Sequence, residues 1–294
     1  MHLVARLAVA VLLGLIVAVA IDVGRVGGWT DWLARHSLAP PYDARGAQVD
    51  IGGRSMYLDC RGAGSPTIVL EAGMGGGAAG WGLVLPALGE RSRTCAYDRA
   101  GLGRSDPRGR HSAADVAADL RALLAAAGEQ PPFLVVAHSL GGVYARVFAD
   151  ADPDEVAGIV LVDSFNPDLF QRIVAVLPAD KAPAWRDFLE PTFDLVERTE
   201  DLDWGLSAAE LAQASVAGIP IEVVVVRQTF DGIPDLDGPT VDAMYRAWRS
   251  GLESLSDDVR ITVLTDSGHL VQLDRPSAIV DATERLLEPG RQGG

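Results

Sequence analysis

The sequence predicts an α/β fold, a mostly parallel sheet flanked by helices and interrupted by a helical insertion. Three observations predict it. Continuous apolar, β-branched runs recur at 67–70, 134–138, 158–163, 221–226 and 259–264, as strands covered on both faces do. Helical patterns separate several of them, from Ala113 to about Ala127 and from Thr240 to Leu255. The run at 134–138 stops abruptly at Ser139, followed by glycines and a helix-forming stretch, so the chain there reads strand, tight turn, helix. At 294 residues the chain is long enough for one large α/β domain with an insertion.

At the amino end, Leu7 to Ile21 carries no charge and follows Arg6. Its 15 residues suit a signal-peptide core and are short for a membrane span. Ala18-Val19-Ala20 offers a cleavage signal, but Val23 extends the apolar run past it, so a retained anchor is the alternative. An anchor would associate residues 3–23 with a membrane. Either reading places the bulk of the chain outside the cytoplasm, because Arg6 would stay inside. Gly27-Gly28 and Pro40-Pro41 mark a linker into the folded part.

Met56 to Cys60 alternates like a half-buried strand. The apolar strand at 67–70 runs into a glycine-rich loop, Glu71-Ala72-Gly73-Met74-Gly75-Gly76-Gly77. Thr94 to Asp98 is a further strand, followed by a turn of the pattern D-R-x-G-x-G-x-S. A phosphate cradle wants G-x-G-x-x-G opening a helix, so this turn is read as structural. Ser112 caps the next helix, and Gln130-Pro131-Pro132 stops it. After the last strand comes Thr265-Asp266-Ser267-Gly268-His269-Leu270.

The turn at Ser139 forces its apex into strained geometry, so residues two positions to either side must be small. Ala137 and Gly141 meet that demand. A serine at the apex lifts its hydroxyl above the sheet edge. The N–H of Leu140, at the helix N-terminus, can bond a developing oxyanion. These residues resemble the nucleophile elbow of the α/β-hydrolase superfamily, with Ala137 in place of the usual first glycine.

The resemblance implies an eight-stranded-type sheet with a helical cap. It divides the chain into a leader and linker (1–45), the core's first part (46–164), the cap (165–218), the core's second part (219–288) and a tail (289–294). It makes Ser139 the nucleophile and His269, in the loop after the final strand, the base. The phrase Leu273-Asp274-Arg275-Pro276 strengthens the histidine assignment. The second oxyanion donor, beside Leu140, falls on the N–H of Met74, although Ala72 stands where the family often has histidine. The acid is Asp163, ending the strand after the nucleophile strand, or alternatively Asp231, with Asp235 and Asp237 as outsiders. His138 is read as an orienting or packing residue, and His2, His36 and His111 have no supporting context. In the family's strand order the strands bearing Cys60 and Cys95 are neighbours, which suggests a disulfide, with two buried free thiols as the alternative. A serine at the elbow argues against epoxide-hydrolase or dehalogenase chemistry, which in related folds needs aspartate there.

Acidic residues outnumber basic ones by 40 to 25, for a formal charge of −15. This disfavours nucleic acid or an anionic membrane surface as partner. No cysteine–histidine cluster has metal spacing, and neither a metal nor a cofactor is expected. The cap segment carries Phe165, Phe170, Trp185, Phe188, Phe193 and Trp204, which either line an apolar cavity or pack the cap down. Its acids, Asp187, Glu190, Asp194, Glu197, Glu200, Asp201 and Asp203, read as a solvated face. The functional expectation is therefore an esterase-type serine hydrolase acting on a small, apolar molecule. Acyl transfer or amide cleavage by the same triad is the alternative within enzymes. A ligand-binding module that keeps the triad without turnover is the alternative outside them.

Overall fold

The computed structural model describes residues 42–164, 172, 174–179, 193–227 and 237–288. Its strands are β1 (Ala47–Asp50), β2 (Ser55–Arg61), β3 (Thr67–Glu71), β4 (Thr94–Tyr97), β5 (Phe133–His138), β6 (Val156–Val162), β7 (Ile221–Val226) and β8 (Val259–Leu264). They form one sheet in the order β1-β2-β4-β3-β5-β6-β7-β8. β1 and β2 run antiparallel to their neighbours, and every pairing from β4 to β8 is parallel. The helices are α1 (Val84–Gly89), α2 (Ala113–Ala126), α3 (Gly141–Ala151), α4 (Trp204–Gln213), α5 (Gly238–Glu253), α6 (Val271–Asp274) and α7 (Pro276–Leu287).

The continuous apolar runs follow from burial on both sheet faces. In β5, Val135 and Ala137 belong to the apolar core shared with α2, α3 and α5, while Leu134 and Val136 belong to the core of the opposite face, shared with α1 and α7. Alternate side chains point to opposite faces of a strand, so two-sided burial favours apolar residues at both sets of positions. Ser112 accepts a hydrogen bond from Asp115 N and closes a reciprocal capping box at the start of α2. β1 is the strand the sequence reading missed. It is a short, mostly exposed edge strand of sequence AQVD, with no apolar periodicity to detect.

Chain order fixes where a site can form. From β3 the chain moves outward to β4 and then returns to place β5 on the other side of β3. The helices after β3 and β5, α1 and α3, therefore lie on opposite faces, and the carboxyl ends of β3 and β5 border a crevice. Cys60 and Cys95 are direct cross-strand partners on β2 and β4 and are joined by a disulfide. Within 165–218, residues 193–200 and α4 are helical, and α4 packs beside α2 through Ser207 Oγ, which accepts from Ala113 N. Among the described residues no helix is long and apolar enough to cross a membrane. The run Leu7 to Ile21 lies outside them.

Candidate active site

Ser139 occupies the turn between β5 and α3 with φ of 50°, a left-handed conformation that non-glycine residues rarely adopt. Gly141 permits the turn, since a Cβ there would lie 2.6 Å from Glu71 O and 2.8 Å from Ala72 O. Small residues beside the serine thus let α3 start directly against the loop that follows β3.

Asp163 follows β6 and also has a positive φ, 38°. Its backbone N donates to Val224 O, and its Oδ1 accepts from Val226 N at 3.2 Å. Those contacts turn Oδ2 toward His269, whose Nδ1 lies 2.6 Å away. His269 Nε2 is 3.0 Å from Ser139 Oγ. Serine, histidine and aspartate are thereby joined in one hydrogen-bonded chain, in which Nδ1–H donates to the carboxylate and Nε2 accepts from the hydroxyl. The loop carrying His269 is secured by Gly268 N donating to Asp274 Oδ2 and by an ion pair between Arg275 and Asp266. Of the other carboxylates weighed as the acid, Asp231 and Asp235 lie outside the described residues, and Asp237 accepts from Thr240 N as the cap of α5.

His138 is buried behind the serine. Its Nε2 donates to His269 O at 2.9 Å, and its ring centroid lies 4.7 Å from that of His269. Burial, reinforced by the nearby His269, lowers its pKa from 6.5 to about 3. It is a neutral support for the histidine loop.

Met74 lies in the loop after β3. Gly73 lets that loop cross close over the serine, as a Cβ on Gly73 would stand 3.1 Å from Ser139 Cβ and 2.8 Å from His138 Nδ1. Among the described residues neither the Met74 nor the Leu140 N–H has a hydrogen-bond partner. Backbone donors left free at a site are the groups that can take up a new negative charge.

Beneath the loop sits a group that the sequence reading left without a role. Arg99, from the turn after β4, donates from Nη1 to Glu71 Oε1 and Ala72 O, both at 2.6 Å. Its Nη2 donates to Gly73 O and Glu200 Oε1, both at 2.7 Å, and its Nε to Glu200 Oε2 at 3.0 Å. These five bonds use all five guanidinium donors. The Tyr144 ring of α3 covers one face of the guanidinium at 5.0 Å, and Tyr97 OH donates to Glu71. Burial pushes the Glu71 carboxyl above its ordinary range, against the pull of Arg99. Burial also opposes the Arg99 charge, but the facing Glu200 and Glu71 carboxylates more than offset it. Glu200 was expected on a solvated face, and it is buried instead, because only there can it neutralise Arg99. The available signals were an acidic residue closing an otherwise apolar strand and an arginine at the next strand's exit.

Of the cap aromatics, Phe193 and Trp204 stack with centroids 5.0 Å apart, and Phe165, Phe170, Trp185 and Phe188 lie outside the described residues. His111 is buried, its Nδ1 bonded to Gly109 O and its backbone paired with Asp201 and Asp203.

A model of the alpha/beta hydrolase family matches residues 68–282. A protein of Azorhizobium caulinodans, provisionally named the carbamate hydrolase RutD, is 37% identical over 126 residues, which are 42% of this chain and 44% of that protein. The chain spans less than half the length of the first curated relatives it matches. Among solved structures, a thermophilic esterase from Thermogutta terrifontis aligns at 19% identity with a TM-score of 0.54, over 85% of this chain and 100% of that one. The epoxide hydrolase CorEH aligns at 20% identity with a TM-score of 0.55, over 83% and 98%. At such identities the structural likenesses concern the fold.

Proposed function

Because the chain belongs to the alpha/beta hydrolase family, we propose that it is a serine hydrolase cleaving an ester-type acyl bond of a small, apolar substrate. The observation that carries this reading is the chain of hydrogen bonds from Ser139 Oγ through His269 to Asp163. Serine is a poor nucleophile until a base takes its proton. As Oγ attacks the acyl carbon, His269 Nε2 takes the hydroxyl proton and the carbonyl electrons move onto oxygen. Asp163 holds Nδ1–H and stabilises the imidazolium. The N–H groups of Met74 and Leu140 receive the oxyanion. Collapse expels the alcohol, protonated by His269, and water resolves the acyl-enzyme by the same steps.

Ser139 stands at the elbow where epoxide opening in related folds uses a carboxylate, which favours acyl chemistry over that reaction. The proposal also puts the domain outside the cytoplasm. The Cys60–Cys95 bond supports this, since reducing compartments disfavour such a pair, and so does the apolar run at 7–21.

The test is intact-protein mass after fluorophosphonate treatment, comparing wild type with Ser139→Ala, followed by a panel of esters and carbamates. One adduct on wild type and none on the variant is the expected result. Folded wild type that takes no adduct would remove serine catalysis and favour a ligand-binding role.

A further inference from the structure

We propose that Arg99 and Glu200 are positioning residues for the oxyanion donor Met74, and that Glu200 makes this geometry depend on docking of the 193–200 helix; the inference rests on the serine-hydrolase reading above. The peptide between Gly73 and Met74 carries the donor. It is trans, so its C=O and N–H point in opposite directions. Arg99 Nη2 donates to Gly73 O, and Gly76 N donates to the same oxygen at 3.0 Å. With its carbonyl held by two donors, the peptide must send the Met74 N–H away from the guanidinium. The adjoining peptide is held too, since Arg99 Nη1 donates to Ala72 O. A glycine-rich loop has little side-chain packing to set these planes beyond that of Met74 against the core. The guanidinium sets them.

Glu200 completes the device from another part of the chain. Its Oε1 accepts from Gly75 N at 2.6 Å, immediately beyond Met74, while both of its oxygens accept from Arg99. One carboxylate thus grips the loop directly and also fixes the arginine that grips it. Arg99 and Glu200 are 2% and 1% exposed in their side chains, so water does not replace either partner while the helix is docked. Undocking 193–200 would withdraw the carboxylate, leave Arg99 short of two acceptors and release Gly75. The donor to the oxyanion would then lose its fixed direction while Ser139, His269 and Asp163 kept theirs. Charge stabilisation would accordingly be assembled only with the 193–200 helix docked.

The experiment uses Glu200→Gln and Glu200→Asp in the full chain, assayed on p-nitrophenyl acetate and butyrate, with fluorophosphonate labelling of Ser139 in parallel. Glu200→Gln keeps the shape but sets an amide N–H against Arg99 in either orientation, and against Gly75 N as well in one of them. Glu200→Asp keeps the charge but is one methylene too short to reach both. Each is expected to lower kcat about 10- to 100-fold with KM within roughly threefold, since a misdirected donor costs transition-state stabilisation and not substrate binding. Labelling should slow in the same proportion, and the pH at half-maximal kcat should stay put, because His269 and Asp163 are untouched. Arg110→Gln serves as the control, because Arg110 pairs with Glu197 of the same helix at 3.4 Å and touches nothing in the loop. It should leave kcat at the wild-type value. Folded Glu200 variants with unchanged kcat would overturn the inference, as would a fall in kcat matched by a rise in KM and by the same fall in Arg110→Gln. Wild type that cannot be labelled at Ser139 marks a failure of the underlying reading. Labelled wild type with fully active variants marks a failure of this inference alone.

Discussion

Ser139, Asp163 and His269 stand at the open carboxyl edge of the sheet, with the His269 side chain 54% exposed. Glu71, Arg99 and Glu200 lie sealed under the loop that begins one residue past β3. The first group is aimed largely by backbone: Ser139 and Asp163 directly follow their strands at positive φ, and His269 sits in the braced loop beyond β8. The second group has no such guide. It sets peptide planes in a glycine-rich loop by saturating every donor of one arginine. The difference teaches that Ser139 and Asp163 can be aimed by the turns that follow their strands, whereas the peptide planes of a glycine-rich loop are set by side chains from distant parts of the chain.

If the comparison is right, changes at the open edge cost activity and leave the fold alone. The largest effect is expected from Asp163→Asn, which keeps the shape but favours the wrong tautomer of His269. A fall in kcat of about 10⁴-fold with little change in thermal midpoint is the expected outcome. Asp231→Asn should leave kcat near wild type. Steady-state kinetics on the two variants, side by side, decides which carboxylate serves His269. The reverse result would move the acid to Asp231 and leave Asp163 as a turn residue.

Changes in the sealed group should cost the fold as well. Arg99→Met leaves Glu71 and Glu200 buried and facing each other without a counter-charge. Breaking a buried pair in this way costs about 3–5 kcal/mol. Denaturant titration should show the unfolding free energy lowered by that amount, as a lower midpoint with an unchanged slope. A stable Arg99→Met protein with normal activity would erase the distinction between the two regions.

His138 lies between them, and pH separates its contribution. Its folded pKa is about 3 and its ordinary value 6.5, so between those values the unfolded chain binds a proton that the folded chain refuses. Stability from this residue is complete above about pH 6.5 and falls as pH drops toward 3, by up to about 1.4 kcal/mol per pH unit. His138→Asn removes that slope while keeping a donor for His269 O. Unfolding free energies measured from pH 7 to pH 4 should therefore fall less steeply in the variant. Parallel curves would mean that His138 titrates normally when folded.

How much of this was legible in the sequence follows the same division. β7 and β8 end where their apolar runs end, and the strand–serine–helix pattern and the Gly-His loop are local, so Ser139 and His269 could be read from neighbours. The acid could not be decided, because Asp163 and His269 are 106 positions apart and two strand ends offered a carboxylate. The clamp was invisible for the same reason. Arg99 is 28 residues from Glu71 and 101 from Glu200, and an arginine in a tight turn looks like surface. Glu222 behaved similarly: a carboxylate within a strand read as apolar, it is buried and paired with Arg285 at 2.8 Å. Long-range charge pairing leaves no periodic trace, which is why hydrophobic patterning found the scaffold and passed over what braces the loop.

The smallest expected effect isolates burial as the cause, because one helix carries both extremes. Glu197 and Glu200 are three residues apart on 193–200, and each faces an arginine. Glu197 meets Arg110 at 3.4 Å with side chains 34% and 54% exposed, whereas Glu200 meets Arg99 at 2.7 Å with both almost wholly covered. Water and salt screen the first pair, and ordering two long side chains consumes most of its attraction. Arg110→Gln should accordingly leave the thermal midpoint within about 2 °C of wild type, and added salt should shrink even that difference. The Glu200 pair should show no such salt dependence, since ions do not reach it. Equal midpoint shifts for the outer and inner pairs would mean that helix docking, and not the sealing of the guanidinium, holds the loop.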